Sequence, residues 1–188
     1  EESSYFPGDT QFFDGGFVDP ANPYHDAAMD GVSCTLCHQV ADDGNLGTPA
    51  GYSGGFTIEE LANPYDRPAY GPYANPRVNP MQQSSVFTPK HAAHIADSAL
   101  CATCHNLNTP VLSADGKLVP GEEFPEQAVY TEWENSAFAD GGAEATSCQA
   151  CHMARADGVK IANRPRNLAA RDNFAHHGFY GGNTLMLD

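Results

Sequence analysis

"DSALCATCHN", residues 97–106, places Cys101 and Cys104 three positions apart and sets His105 directly after the second thiol. The same order returns at "CTLCH", residues 34–38, and at "CQACH", residues 148–152. The three repeats consume all six cysteines, so no thiol is left over for a structural disulfide.

This order is the attachment signature of c-type haem. Two thiols three positions apart on a helical turn reach the two vinyl groups of one porphyrin and form thioethers. The next residue then aims its imidazole at the iron. Cys34 and Cys37, Cys101 and Cys104, and Cys148 and Cys151 are therefore read as covalent attachment points for three haems. His38, His105 and His152 are read as the proximal iron ligands. A disulfide redox motif does not need a histidine after its second cysteine. With eight histidines in 188 residues, three such coincidences have a chance on the order of 10⁻⁴. Zinc would pair two C-x-x-C units and leave the third unmatched, and its histidines sit farther along the chain.

Five histidines remain for the opposite faces of the irons: His25, His91, His94, His176 and His177. Three are needed if every iron takes two imidazoles. Met29, Met81, Met153 and Met186 are scattered, and Met153, next to His152, cannot reach around its own haem. Two-histidine ligation is expected at all three irons. His91 and His94 are three apart and would share one helix face, so one ligates and the other touches a propionate or water. His176 and His177 point in different directions, so at most one reaches a given iron.

The net charge of −15 repels nucleic acid and anionic membrane surfaces. No apolar run is long enough to span a bilayer. The opening "EESSYFPGDT" reads as a mature terminus after removal of a signal peptide. Hydrophobic content of 41% is low for a self-sufficient core, and 18 glycines with 14 prolines imply much turn and loop. The charge is uneven. Residues 1–154 carry 4 basic and 21 acidic residues, whereas 155–188 carry 5 and 3. Arg155, Arg164, Arg166 and Arg171 thus follow the third repeat, where they either pair with haem propionates or form a solvated basic loop. Docking the acidic face of a neighbouring copy is a further role for them.

One helix is expected over 22–39 after Asn22-Pro23, another within 84–105 beginning near Thr88-Pro89, a third over 125–139, and a further turn or two around 145–156. In "PEQAVYTEWENSAFA", residues 125–139, Val129, Trp133 and Phe138 lie near one helical face. Residues 41–80 read as a long loop whose aromatics pack on porphyrin or anchor the loop. "ADDGNLG", residues 41–47, reads as a turn and does not fit the calcium-binding loop. The expected fold is one domain, 1–188: mostly irregular, with a few short α-helices, a porphyrin-dominated core and little or no β-sheet.

"FTPKHAAHIADSALCATCHNLNTPV", "EFPEQAVYTEWENSAFA" and "SCQACHM" together resemble a group of bacterial and archaeal multihaem c-type cytochromes. The likeness runs over roughly residues 20–185. It implies a multihaem cytochrome c fold and points to His25, His94 and His177 as distal ligands. His91 and His176 stand in second place, or serve a haem of another subunit. In such cytochromes haem is attached outside the cytoplasmic membrane, which implies a periplasmic, cell-surface or extracellular protein. Some polymerise into conducting filaments in which a histidine of one subunit ligates a haem of the next. Members of the group often continue into a C-terminal β domain; this sequence stops at Asp188, which reads as a processed or minimal form.

The function expected from these readings is electron transfer through three closely spaced haems, not catalysis. Its partners would be redox proteins, extracellular electron acceptors or further copies of the chain. The alternative is a reductase with one open iron, acting on a small nitrogen or sulfur oxyanion or on peroxide. Nothing in the sequence requires such a vacancy, and the negative charge disfavours anionic substrates.

Overall fold

The computed structural model describes residues 16–29 and 31–181. The chain divides after Cys37 into two units.

The first unit carries a 3-10 turn, Gly16–Val18, and two short helices, α1 (His25–Met29) and α2 (Cys34–Cys37). Side chains that bond backbone tie α1 to the turn. Asn22 Nδ2 donates to the Gly16 carbonyl (3.1 Å), and His25 Nδ1 donates to that of Phe17 (2.7 Å).

The second unit opens with an irregular stretch that leads to β1 (Pro68–Gly71). In that stretch Asp43 closes the 41–47 turn. It accepts from Thr57 Oγ1 (2.6 Å) and from the Asn45 backbone N–H (3.0 Å). These two bonds, Thr57 first, hold its carboxyl below the ordinary value. β1 pairs in parallel with β2 (Thr88–His91), and helix α3 (Val78–Ser85) lies between them in sequence. A 3-10 turn, Ala93–Ala96, leads into α4 (Ser98–His105), whose N-cap Asp97 accepts from the Ala99 N–H. Next comes an antiparallel ribbon of β3 (Asn106–Leu112) and β4 (Leu118–Ala128). Then follow α5 (Val129–Glu134), α6 (Cys148–His152) and a two-residue pair, β5 (Arg155–Ala156) with β6 (Phe174–Ala175).

Few helices, small two-stranded sheets and much irregular chain agree with the coarse expectation, but the β content exceeds it. The ribbon has a local cause. "SADGK", residues 113–117, holds Asp115-Gly116 at its tip, with Gly116 at φ +76°. Ser113 N–H donates to the Lys117 carbonyl (2.8 Å), and the Ser113 hydroxyl to Asp115 (2.6 Å). Three helical expectations are corrected. Residues 22–39 form two short helices rather than one. Thr88-Pro89 begins an edge strand, so within 84–105 the helix that bears the motif starts only at Ser98. Residues 125–128 finish β4, so the helix expected over 125–139 is confined to Val129–Glu134.

The core of the second unit is thin. Its buried apolar side chains are Val40, Ala41, Pro68, Ala102, Tyr130, Met153 and Leu168 among the described residues. Polar pins do much of the joining. Asn106, 5% exposed, accepts at Oδ1 from the Tyr130 and Thr131 N–H groups (3.1 and 3.2 Å). Its Nδ2 donates to Thr131 Oγ1 (2.7 Å). The residue after His105 therefore caps α5 from outside. Trp133 Nε1 carries the connection on, donating to the Thr146 carbonyl just before α6 (2.9 Å). Among the described residues no helix is long and apolar enough to cross a membrane.

Two outcomes follow. Asn106→Ala strands two N–H groups at the start of α5 and lowers unfolding stability by about 2 kcal/mol, readable by chemical denaturation. The Tyr130 phenol is pushed up to about 12, by burial first and then by Glu134. An unfolded tyrosine gives up its proton near pH 10, so Tyr130's contribution is intact below that pH and is lost as the pH climbs to about 12. Tyr130→Phe should make that alkaline fall shallower in the same assay.

Candidate functional site

Each repeat sits on a short helix. α2 holds Cys34 and Cys37, α4 ends with Cys101, Cys104 and His105, and α6 is Cys148 to His152. At helical spacing the two sulfurs of each motif share a face. Cys34, Cys104 and Cys151 are exposed, and the other three thiols are half-buried.

Two of the three histidines that close the repeats are gripped in the same way. His38 Nδ1 lies 2.5 Å from the Tyr70 carbonyl oxygen, and the Tyr70 N–H donates back to the His38 carbonyl (2.7 Å). His152 Nδ1 lies 2.5 Å from the Tyr180 carbonyl oxygen, and the Tyr180 N–H donates back to the His152 carbonyl (3.0 Å). A peptide carbonyl can only accept, so Nδ1 carries the proton in both rings and Nε2 keeps the free lone pair. That is the tautomer a metal-ligating imidazole needs, with its ring orientation fixed from behind. His25 has the same Nδ1 pairing, to Phe17 in the first unit. His105 ends α4 exposed.

His177 faces His38. Their ring centres are 6.1 Å apart, with planes inclined by 36°. Two imidazoles bonded to one metal from opposite sides, each through a bond of about 2 Å, carry their ring centres roughly 6 Å apart. Phe174 and Phe179 flank the His177 ring, at 6.2 and 5.9 Å between centres. Partial burial of that ring, and then the neighbouring His38, hold its pKa below the ordinary histidine value, while a hydrogen bond to the Ala175 backbone opposes them. The residue as a whole is exposed. His38 and His177 are thus neighbouring rings within the second unit, at a separation that two imidazoles on one metal would also have.

The second and third motifs are docked side by side. The Cys148 N–H donates to Ser98 Oγ (3.0 Å), and Ser98 is 2% exposed. Gln149 Nε2 donates to the Asp97 and Ile95 carbonyls (2.6 and 3.3 Å). The Cys148 thiol hydrogen-bonds to that of Cys101, and this contact first of all pulls the Cys148 pKa well below the usual thiol range. The first sulfurs of two successive motifs are therefore neighbours.

The remaining sequence candidates are placed differently from one another. His91 ends β2 exposed, and His176 is exposed with its N–H on the Ala154 carbonyl (2.8 Å). The two upstream histidines share no helix face, since His91 closes a strand and His94 lies in the 3-10 turn. His94 is buried, and its Nε2 donates to the Val40 carbonyl (2.9 Å). Of the arginines, Arg171 stacks over the Tyr73 ring (4.0 Å) and reaches the Asn75 carbonyl (3.4 Å). Arg155 reaches the Asn173 carbonyl (3.5 Å), while Arg164 and Arg166 are exposed. No arginine–carboxylate ion pair occurs among the described residues. Nor do they contain a cluster of three or more histidine, cysteine or acidic side chains placed to hold a bare metal ion. The sequence reading named Tyr70 only among the aromatics of the 41–80 loop, as packing on porphyrin or anchoring the loop, and did not name Tyr180. Both are followed by glycine, in "AYGP" and "FYGG", and that repeated pair is the signal that would have found them.

No family model matches the chain, and no curated protein or solved structure matches it either.

Proposed function

We propose that this chain is an electron-transfer protein carrying three covalently attached haems. The observation that carries the reading is the His38–His177 pair, two imidazoles at the separation that one iron requires. The prosthetic groups would supply iron centres that change oxidation state by one electron. The chain does the holding. Cys34, Cys37, Cys101, Cys104, Cys148 and Cys151 would bond the porphyrins, and His38, His105 and His152 would take the proximal faces. The carbonyls of Tyr70 and Tyr180 keep two of those imidazoles in one tautomer and one orientation, so little has to move when charge arrives. His177 would take the distal face opposite His38.

Two further observations support the reading. The apposed Cys101 and Cys148 thiols make neighbours of the second and third attachment points, as short-range transfer requires. The thin apolar core suits a chain that packs against large prosthetic groups. On this reading the protein works in the periplasm, at the cell surface or outside the cell. Its partners are redox proteins or extracellular acceptors. His91 and His176, both exposed, are the imidazoles open to a haem of a second copy.

Intact-mass measurement of the protein made in a host that matures c-type cytochromes should show three added porphyrins; a chain with no added mass overturns the proposal. In the loaded protein, His177→Ala should convert one of three low-spin haems to a high-spin or water-ligated form, readable by paramagnetic resonance and optical spectra.

A further inference from the structure

His94 lies deep in the second unit and meets the first motif's proximal histidine indirectly. Its Nε2–H donates to the Val40 carbonyl (2.9 Å), two residues past His38. Its ring meets the Tyr70 ring edge-on, with centres 5.2 Å apart and planes at 70°. Tyr70 is the residue whose backbone grips His38 at both the ring and the carbonyl. The turn that bears His94 is fastened to the same strand, because the Ala92 N–H donates to the Gly71 carbonyl (2.9 Å). His94 is 9% exposed, and the nitrogen that would normally meet an iron is already spent on a carbonyl.

We infer that His94 is a positioning residue for the first haem site, bracing Tyr70 and Val40 around His38, and not an iron ligand. This rests on the haem reading above and departs from the ligand role that the sequence resemblance implies. The consequence is electronic as well as structural. A proximal imidazole donates more electron density to its metal when its Nδ1–H is firmly bonded to a carbonyl. Loosening Tyr70 weakens that bond and should raise the potential of one haem.

The test uses the haem-loaded protein and two variants, His94→Ala and His94→Gln; glutamine keeps an N–H donor for Val40 but has no imidazole. Haem content is first verified by intact mass, so an unloaded wild type would count against the haem reading and not against this one. The expected result is three low-spin haems in both variants by paramagnetic resonance. One of the three midpoint potentials moves upward in His94→Ala and returns towards the wild-type value in His94→Gln. Loss of one low-spin haem in His94→Gln, with a matching high-spin signal, would overturn the inference and make His94 a ligand. Three unshifted potentials in His94→Ala would overturn it as well. Should His94→Ala fail to fold, the low-spin count in His94→Gln decides.

Discussion

A peptide carbonyl accepts hydrogen bonds and never donates them, and that one-sidedness organises the site. Where such an oxygen meets Nδ1 of a histidine, the proton must sit on that nitrogen, and the lone pair is left at Nε2. The chain uses the device on His38 through Tyr70 and on His152 through Tyr180, each time with a returning N–H bond that fixes the histidine's own backbone. Two bonds per residue hold the ring and the histidine's own backbone in one place. On the His177 side of the 6.1 Å pair the ring is flanked by Phe174 and Phe179.

The rest of the second unit is arranged to keep those clamps in place with little apolar packing. Asn106 caps α5, Trp133 reaches the approach to α6, and Ser98 and Gln149 dock the third motif against the second. These are directional polar contacts, which specify geometry well but contribute modestly to net stability. A chain built this way has positioned its chemistry-bearing side chains more carefully than it has filled its core.

The spacing of the three repeats is a local code in the sequence, and the cysteines of each do lie on a short helix. The boundaries were not, because competing local signals were settled by distant partners. Thr88-Pro89 suits the first turn of a helix as well as an edge strand, and pairing with Pro68–Gly71 decides for the strand. The face formed by Val129, Trp133 and Phe138 is a fair helical pattern, yet β3 claims the residues before it through Asn106↔Ala128 and Leu107↔Gln127. The ribbon itself carried an Asp-Gly signal at its tip that the sequence reading passed over. The tyrosine clamps were hidden for a different reason: they act through backbone atoms, which side-chain patterns do not report. His91 and His94 look alike in sequence, but His91 closes a strand exposed while His94 lies buried in a 3-10 turn, bonded to the Val40 carbonyl.

The central claim is that His38 and His177 bind one iron from opposite sides. Proton and nitrogen spectra of the oxidised, haem-loaded protein labelled with ¹⁵N-histidine address it directly. The account predicts strongly shifted imidazole signals from both residues, each close to methyl groups of the same porphyrin. Signals that place the two rings on different porphyrins, or an unshifted His177, would contradict it.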